Sequence, residues 1–341
     1  MNGRIPHIAV DAMGGDHAPE EIVAGAVLAA NEGLGRMLVV GDEARLRPLL
    51  ASYAGSAIDV VHAPGAVAMD ANPSQALRNS KETSLGAAVD LVRDGNADAV
   101  VSAGNSGAFL AIALVRLRPI EGVARPAIAV VYPAKQGPVI VLDSGANVDC
   151  RPEWLVQFGV MGSAYARAVL NIAQPRVGII SVGEERGKGN ALTIAATALL
   201  ESSSLRFVGN VEGKDMLFNA ADVCVCDGFV GNVILKLCEG AASLIGDIAV
   251  AEIKSAGPFT KLGALLVRPA LRHVRDKISY EAYGGAPLLG LRGNCIVAHG
   301  RANRVAVRSA IRAAVAEVRE DVVGRIGELI ASSELREAKE A

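Results

Sequence analysis

Short, continuous apolar runs alternate with stretches of helical length through almost the whole 341-residue chain. The runs AVV at 99–101 and VIVL at 139–142 have no polar residue at alternate positions. This pattern is typical of strands buried on both faces, as in a largely parallel sheet with helices outside it. The sequence therefore predicts an α/β fold. The predicted strands lie near 5–11, 37–41, 58–63, 97–102, 127–133, 138–143, 176–182, 206–211, 222–227 and 295–299. The predicted helices lie near 18–32, 43–52, 83–94, 106–118, 152–172, 190–202, 229–252 and 303–331.

Two regions depart from this alternation. The strands near 127–133 and 138–143 are too close for a helix between them, so we predict a hairpin and a mixed, mostly parallel sheet. Residues 254–294 contain no convincing strand, and Pro258 and Pro269 can each begin a short helix. No linker or internal repeat is found. We therefore predict one domain over residues 1–341 with a protruding helical hairpin at 254–278.

Composition limits the classes of protein that this chain can represent. Hydrophobic residues make up 51% and charged residues 21%, which is typical of an ordered globular protein. The net charge of −2 gives no general affinity for nucleic acid, so any basic partner site must be local. No apolar run is long enough to span a bilayer, and the N-terminus lacks a signal-peptide pattern. Five cysteines, an odd number, then indicate reduced thiols and a cytoplasmic location.

Glycines and polar residues collect in loops that follow predicted strands. In open parallel sheets, ligands bind at the carboxyl ends of strands, where loops lead into helices. Glycine lets the backbone approach a ligand closely, and the next helix offers unpaired N–H groups to an anion. One such loop can serve turn geometry alone, but several at equivalent strand ends indicate an anion site. These loops lie at 11–17, 103–108, 143–149, 183–190 and 227–232.

Three side chains in these loops can bind an anion directly. Lys188 carries a full positive charge, and Asn105 and Asn232 carry amide donors. His17 is a general base, a phosphate ligand or a first-turn surface residue, and the sequence leaves these alternatives open. No P-loop is present, and no Gly-x-Gly-x-x-Gly follows the first strand, so a nucleotide site is not indicated. A serine nucleophile has no support either, because Gly-x-Ser-x-Gly does not occur.

The aspartates of these loops have two possible roles. They can hold Mg²⁺ through oxygen ligands, or they can cap helices and accept N–H bonds from glycine loops. We favour the second role, since no two of them show a compact ligand spacing, and we predict no metal and no cofactor. The Cys224-x-Cys226 pair is expected to pack in the core, because no second pair completes a zinc site. The aspartates are Asp11, Asp16, Asp143, Asp149 and Asp227.

The order of these motifs resembles one bacterial family. The chain carries DAMGGD at 11–16, SAGNSGA at 102–108, LDSGANVD at 142–149, KGN at 188–190, DGFVGN at 227–232 and YGGA at 283–286. Together they resemble the phosphate acyltransferases known as PlsX, in the family's order from about residue 8 to about residue 312. Each motif alone is weak, but the set is specific and covers nearly the whole chain.

The resemblance implies a Rossmann-like, three-layer α/β/α sandwich, similar to phosphotransacetylases and isopropylmalate dehydrogenases. It implies transfer of an acyl group from acyl carrier protein (ACP) to inorganic phosphate, giving acyl phosphate for phosphatidic acid and phospholipid synthesis. It also implies a homodimer, peripheral to the cytosolic face of the membrane, that supplies a glycerol-3-phosphate acyltransferase. Lys188 and Asn232 take the family's catalytic positions, whereas Arg186 lies where this sequence departs from the family. We assign substrate and phosphate binding to Asp11, Gly14, Gly15, Asp16, His17, Asn105, Ser106, Asp143, Asn147, Asn190 and Asp227.

Two other classes of function stay open. One is a phosphotransacetylase, or a metal- and NAD-dependent decarboxylating dehydrogenase, on a similar fold. The dehydrogenase requires a cluster of metal-binding aspartates and a nucleotide site, and the sequence shows neither clearly. The other class is a non-enzymatic scaffold at the membrane surface that uses residues 254–277.

An acidic carrier protein requires a basic patch on this chain. Four arginines near the start of the last predicted helix are spaced by three, four and four residues, which places them on one helical face. An ordinary solvated face has the same pattern, and both interpretations stay open. The predicted carrier-binding residues are Arg301, Arg304, Arg308 and Arg312.

Residues 254–277 interleave apolar and basic residues, with no acid between Glu252 and Asp276. An apolar face beside basic residues is typical of a helix that lies in an anionic membrane interface. The alternative is a hairpin that packs on a dimer partner. The predicted membrane contacts are Phe259, Leu262, Leu265 and Leu266.

Overall fold

The computed structural model describes residues 4–53, 58–278 and 284–332, without the side chains of 273 and 275–278. Strands and helices alternate within these ranges, which confirms the predicted α/β class. The strands are β1 (His7–Asp11), β2 (Arg36–Gly41), β3 (Ile58–His62), β4 (Ala99–Ser102), β5 (Ala127–Ile128), β6 (Val130–Tyr132), β7 (Val139–Leu142), β8 (Val177–Ser181), β9 (Phe207–Glu212), β10 (Val223–Val225), β11 (Ala286–Leu289) and β12 (Asn294–Val297). The helices are α1 (Glu20–Asn31), α2 (Glu43–Ala51), α3 (Pro73–Arg78), α4 (Ser84–Arg93), α5 (Ser106–Leu117), α6 (Pro152–Ala168), α7 (Ala191–Ser202), α8 (Gly213–Met216), α9 (Gly228–Ser255), α10 (Pro258–Ile278), α11 (Arg304–Arg319) and α12 (Val322–Ser332).

The first sheet has seven strands in the order β3-β2-β1-β4-β12-β11-β5. The first five are parallel neighbours, and β11 pairs antiparallel with β12 and β5. Val10 and Val101 face the core beneath α1 and α11, whereas Ala9 and Val100 face the core beneath α4 and α5. Because successive residues point to opposite faces and both faces are covered, the strands are apolar without interruption.

The second sheet has five strands in the order β6-β7-β10-β8-β9. Its last four strands are parallel, and β6 pairs antiparallel with β7, which confirms the predicted hairpin. Ile140 and Val223 face the core formed with α6, α7 and α12, whereas Val141 and Cys224 face the first turns of α9. Each sheet thus lies between helices. The three-layer architecture is confirmed, with the strands divided between two sheets.

The chain crosses between the sheets so that their carboxyl edges face each other. β5 pairs with β11, and Ala129 then donates to the Pro287 carbonyl (2.8 Å), so the chain continues toward the carboxyl edge of β12. β7 runs back antiparallel to β6, with Val141 opposite Val130. Since β10, β8 and β9 are parallel to β7, their carboxyl ends also point toward the first sheet. The loops that follow strands in either sheet therefore face one another.

Two predictions for residues 254–294 are wrong. β11 is a strand despite Pro287, because the sheet uses the proline carbonyl and does not need its missing N–H. The two short helices expected at Pro258 and Pro269 are one helix, α10, in which Pro269 is internal. The turn around Pro269 is exposed, so water can bind the carbonyl that a proline leaves without a partner. The other helix of the protruding hairpin, which precedes α10, is the distal part of α9.

The C-terminal helix predicted over 303–331 is also divided. α11 ends at Arg319 and α12 begins at Val322. Asp321 adopts a φ of 50°, and its carboxylate accepts the Gly324 N–H (3.3 Å), which starts the second helix. No helix in the ranges 4–53, 58–278 and 284–332 combines the length and hydropathy needed to cross a bilayer.

Candidate active site

The five glycine-rich loops divide between the two sheets. Loops 11–17 and 103–108 follow the adjacent strands β1 and β4 of the first sheet. Loops 143–149, 227–232 and 183–190 follow β7, β10 and β8, which are consecutive neighbours in the second sheet. The prediction that the loops share one edge therefore holds within each sheet. Lys188 and Asn232 both belong to the second-sheet edge.

The Asp143 carboxylate organises the loop that follows β7. The side chain is fully buried, and five N–H groups donate to its two oxygens. The donors are the backbone N–H groups of Ile128 (3.0 Å), Gly145 (3.1 Å), Ala146 (3.0 Å) and Asn147 (2.6 Å), and the side-chain amide of Asn147 (2.9 Å). These bonds occupy the lone pairs of the carboxylate. Asp143 therefore shapes the loop and is not free to bind substrate, which corrects the sequence assignment.

Glycines let the first turn of α9 rest on this loop. A Cβ added at Gly228 would lie 2.7 Å from the Asn147 carbonyl oxygen, and one at Gly231 would lie 2.8 Å from the Asp143 carbonyl carbon. The Gly228 N–H also donates to the Asn147 carbonyl (2.7 Å). The side-chain NH₂ group of Asn147 also donates a hydrogen bond to the Pro126 carbonyl (2.8 Å). Asn147 thus has no free donor for a substrate, which corrects a second assignment.

Asn232 lies beside the loop at its most accessible point. Its side-chain oxygen is 3.7 Å from the Cβ position of Gly145. The Asn232 amide is exposed and makes no hydrogen bond to any residue that the structure describes. Asp227 caps α9 by accepting the Val230 N–H (2.8 Å), as expected for an aspartate before a helix. A helix N-terminus and an unpaired amide donor therefore meet here.

Lys188 occupies the neighbouring loop with an exposed side chain. Its carbonyl accepts from the Ser181 hydroxyl (3.1 Å) and the Asn210 amide (3.2 Å), which fixes the backbone. Its ammonium makes no ion pair within residues 4–53, 58–278 and 284–332. Arg186, in contrast, pairs with Glu201 (2.6 Å) and is directed away to that partner. The choice of Lys188 over Arg186 agrees with this arrangement.

The loop continues into the N-terminus of α7. Gly189 adopts a φ of 122°, a conformation that favours glycine. The Asn190 side-chain oxygen caps the helix by accepting the Thr193 N–H (2.8 Å), and its NH₂ group has no partner among the described residues. The N-termini of α7 and α9 thus lie at the same sheet edge. Their unpaired N–H groups and dipoles favour an anion.

At the first sheet, Asp11 joins three loops. Its buried carboxylate accepts from the hydroxyls of Ser84 (2.6 Å) and Ser102 (2.6 Å), and the Ser102 oxygen accepts the Gly104 N–H (3.0 Å). Gly14 passes so closely that an added Cβ would lie 2.9 Å from the Gly104 nitrogen. Burial raises the pKa of Asp11, and the two hydroxyl donors oppose this rise. Asp11 is therefore a positioning residue, and Ser84 is a partner that no sequence motif indicated.

The side-chain amide of Asn105 is also occupied by hydrogen bonds that hold loops in place. Its NH₂ group donates to the carbonyls of Met69 (2.8 Å) and Ala71 (3.0 Å), and its oxygen accepts the Ala108 N–H (2.9 Å). No amide hydrogen of Asn105 is left for a substrate oxygen, which corrects the expectation that this amide binds an anion. The segment that precedes α3 is thereby held over the start of α5. Ser106 follows Asn105 and is exposed.

Asp16 and His17 are exposed at the carboxyl edge of the first sheet. The Asp16 N–H donates to the Gly300 carbonyl (2.8 Å), and Gly15 adopts a φ of 113°. These two features fix the conformation of the loop. The roles of Gly15, Asp16 and His17 in substrate binding stay predictions.

One cluster of three acids combines Glu184 of the 183–190 loop with two acids outside the glycine-rich loops. Glu184, Glu212 and Asp215 bring carboxylate oxygens within 4.8 Å of one another. The Lys214 ammonium lies 2.7 Å from Glu212 and 3.7 Å from Asp215, so it offsets part of the negative charge of this cluster. Three of the five predicted aspartates cap helices or hold loops, as the sequence favoured. The Cys224-x-Cys226 pair is buried in the core, and burial raises the pKa of Cys224 to about 12.

The predicted carrier-binding arginines are largely paired. Arg304 binds Glu21 of α1 (2.5 Å), and Arg308 and Arg312 share Glu32 (3.1 and 2.7 Å). The first of the four arginines makes no ion pair with a described residue. Four arginines against two glutamates leave two net positive charges, so this face is less basic than the sequence suggested. The physical reason is that α1 packs against α11 and brings its acids alongside.

The single helix α10 is amphipathic. Lys261, Arg268 and Arg272, spaced by seven and four residues, lie on one side, and all three are exposed. The opposite and flanking sides are apolar and also exposed. The four predicted membrane contacts there are Phe259, Leu262, Leu265 and Leu266, at 89%, 59%, 64% and 76% exposure.

Comparison with known proteins confirms the resemblance. The family model described as fatty acid synthesis protein matches residues 7–325. The phosphate acyltransferase of Pelotomaculum thermopropionicum is 49% identical over 327 residues, covering 96% of this chain and 94% of that protein. The phosphate acyltransferase of Syntrophotalea carbinolica is 48% identical over 330 residues, covering 96% and 93%. A phosphotransacetylase from Streptococcus pyogenes has a similar fold, with a TM-score of 0.60 and 17% identity over 93% of this chain and 95% of that one.

Proposed function

The chain belongs to the phosphate acyltransferase family of fatty acid synthesis proteins, and from this premise we propose that it transfers a fatty acyl group from acyl-ACP to inorganic phosphate. The products are acyl phosphate and free ACP, for phosphatidic acid and phospholipid synthesis. The observation that supports this proposal is the second-sheet edge. There the Lys188 ammonium and the Asn232 amide, which have no partner among the described residues, share an edge with two helix N-termini. Asp143 and Asp227, in contrast, are occupied by backbone N–H groups.

Lys188 holds the phosphate in this proposal. Phosphate is already anionic at neutral pH, so it needs positioning more than activation. One of its oxygens attacks the thioester carbonyl carbon, and a C–O bond forms as the carbonyl oxygen takes the negative charge. The N-terminus of α7 and the Asn190 amide assist Lys188, since both offer donors to the remaining phosphate oxygens.

Asn232 stabilises the carbonyl oxyanion with its free amide. Collapse of this intermediate breaks the C–S bond and releases the pantetheine thiolate. The pKa of a thiol is about 8.5, so the thiolate can leave without protonation by a strong acid. No covalent enzyme intermediate and no cofactor are required. Cys150, next to the 143–149 loop, is not a suitable nucleophile, because burial raises its pKa to about 12.

The direct test supplies acyl-ACP and phosphate and measures acyl phosphate. Lys188→Ala should lose most activity and keep its fold, while Lys188→Arg should restore only part, because a planar guanidinium does not replace a point charge. Lys214→Ala is the matched control, since Lys214 pairs with Glu212 outside the predicted site. Near-normal turnover of Lys188→Ala would exclude Lys188 from phosphate binding. Absence of acyl phosphate with the normal protein would refute the proposed reaction.

Carrier recognition is proposed at the α11 arginine face. Its net excess of positive charge suits an acidic carrier, and Arg301 offers the one guanidinium of the four without an ion pair in the described part of the chain. The face also begins next to the carboxyl edge of β12, close to the first-sheet loops. A pantetheine arm from this position can enter between the facing sheet edges.

Peripheral membrane contact is proposed for α10. Its 21 residues form one helix, longer than either short helix expected from the sequence, with basic and apolar sides separated. Such a helix can bury its apolar side at the level of lipid headgroups, and its lysine and arginines favour anionic lipid. This contact would place the protein at the cytoplasmic surface of the membrane, where a glycerol-3-phosphate acyltransferase can take up acyl phosphate.

Co-sedimentation with vesicles tests this contact. The normal protein should bind anionic vesicles and not neutral ones, and Leu265→Glu/Leu266→Glu should abolish binding while activity on soluble acyl-ACP persists. Val115→Glu is the control, since Val115 lies on α5 and is 56% exposed. If the normal protein and the Leu265→Glu/Leu266→Glu variant sediment equally with vesicles, the helix does not contact the membrane through these residues and is assigned to a protein interface. The same assignment follows if the variant no longer forms the oligomer that the normal protein forms.

A homodimer is proposed through the distal part of α9. Leu244 and Ile248 are 59% and 53% exposed, and their spacing of four residues forms one apolar stripe beyond the first turns of the helix. A second copy of the chain would cover this stripe with its own, as in an isologous two-helix contact.

A further inference from the structure

Four large apolar residues are exposed at the carboxyl edge of the second sheet. Val148 follows β7, Val182 follows β8, and Phe229 and Val233 lie in the first two turns of α9 after β10. They are 60%, 82%, 63% and 50% exposed. Each of three neighbouring strands is therefore followed by an exposed apolar side chain, among loops that otherwise carry glycine and polar residues.

Helix geometry joins two of these residues to Asn232. Positions 229, 232 and 233 are related as i, i+3 and i+4, which makes them neighbours on one surface of α9. Val230 and Ile234, on the other side of the helix, pack into the core. Phe229 and Val233 therefore flank the predicted oxyanion donor and face away from the sheet.

We propose that Val148, Val182, Phe229 and Val233 form an acyl rim, which binds the methylene groups next to the carbonyl of a long fatty acyl chain. This inference rests on the proposed function, because it takes the thioester carbonyl to lie at Asn232. Gly145, whose N–H donates to Asp143, also lies beside Asn232. The acyl rim supplies exposed apolar side chains next to Asn232, over which the apolar chain can leave the carbonyl.

The acyl rim has an apolar continuation along α9. Leu237 is eight residues beyond Phe229, about 12 Å further along the helix axis, and is 69% exposed. A long chain can therefore extend from the carbonyl toward the α9–α10 hairpin. A short acyl group would cover little of this surface. The rim thus favours long-chain substrates through apolar contact, which the polar parts of the site cannot provide.

The test compares palmitoyl and butyryl thioesters of the same carrier, at saturating phosphate. Phe229→Ser/Val233→Ser changes two exposed residues, so the fold should persist. We expect the ratio of kcat/KM for palmitoyl over butyryl to fall about tenfold or more, since each methylene held by an apolar pocket contributes about tenfold. Val182→Ser should lower the same ratio by a smaller factor. Val115→Ser, an equally exposed valine on α5, should leave the ratio unchanged.

Outcomes for the acyl rim and for the proposed function are separable. If the normal protein forms no acyl phosphate from either thioester, the proposed function fails. If it forms acyl phosphate but the double variant keeps the normal ratio, the acyl rim is refuted. A variant that loses both substrates equally, or that changes oligomeric mass in light scattering, assigns these residues to another role and also overturns the proposal.

Discussion

Replacing Gly231 with alanine should displace the first turn of α9 and remove most of the activity. A methyl group there would lie 2.8 Å from the Asp143 carbonyl carbon, 3.0 Å from the Ser144 Cα and closer still to the Asp143 oxygen. These are backbone atoms, which cannot rotate aside as a side chain can. Because contacts to Cβ under 3.0 Å are essentially never seen, α9 must move back by roughly 1 Å.

This movement would carry Asn232 away from its place beside Gly145. A misplacement of about 1 Å at a reacting group lowers the rate about 10²-fold. The clash should also destabilise the fold by about 1–3 kcal/mol. Without a clash, a glycine-to-alanine change inside a helix would instead stabilise it by about 1 kcal/mol. The sign of the stability change therefore reports the contact independently of activity.

The assay measures acyl phosphate formation and urea unfolding of Gly231→Ala beside Gly246→Ala. Gly246 lies in the same helix, and a methyl group added there meets no atom within 4 Å. We expect the Gly246 variant to keep its activity and to gain about 1 kcal/mol in unfolding free energy. If Gly231→Ala is as active and as stable as this control, the contact with the 143–147 loop does not position Asn232.

Two further predictions concern charged groups. Arg301→Glu breaks no ion pair among the described residues, and it should raise the apparent KM for acyl-ACP and weaken its salt dependence. An equal change with acyl-pantetheine, which lacks the carrier, would contradict docking at this face. Burial raises the pKa of Glu317 well above 4.5, so the folded protein keeps a proton that the unfolded chain releases. The unfolding free energy should then fall by about 1.4 kcal/mol per pH unit between the two pKa values. Glu317→Gln should remove this fall in urea unfolding between about pH 5 and about pH 8, and identical slopes would contradict the assignment.

Much of the site could be predicted from the sequence because its signals are local. Asp227 precedes a helix and caps it, and Lys188 lies in a glycine-rich loop between a strand and a helix. α3 has a local signal too, since Asn72 caps the helix and Pro73 begins it, although no helix was predicted there. Ser84 had no such signal. Its role depends on Asp11, 73 residues away in sequence.

The division of binding and positioning roles could not be predicted. Asn105, Asn147 and Asn232 look alike in sequence, since each follows or accompanies glycine in a loop. Asn105 gives its amide hydrogens to two distant carbonyls. Asn147 gives its own to the Pro126 carbonyl and the Asp143 carboxylate. Only Asn232 keeps its amide hydrogens free among the described residues. Hydrogen-bond partners across loops are set by how the strands are placed, and spacing along the chain does not contain that information.

The sequence by itself determined the elements, because burial on both faces of a strand requires an uninterrupted apolar run. It also determined the loops and the family, since their motifs are contiguous. The tertiary structure alone decided that the strands form two sheets with facing carboxyl edges, because strand pairing joins residues far apart in the chain. It likewise decided that Glu21 and Glu32 pair with three of the four predicted carrier-binding arginines. Helical spacing places side chains on a face, but only packing determines which charges that face meets.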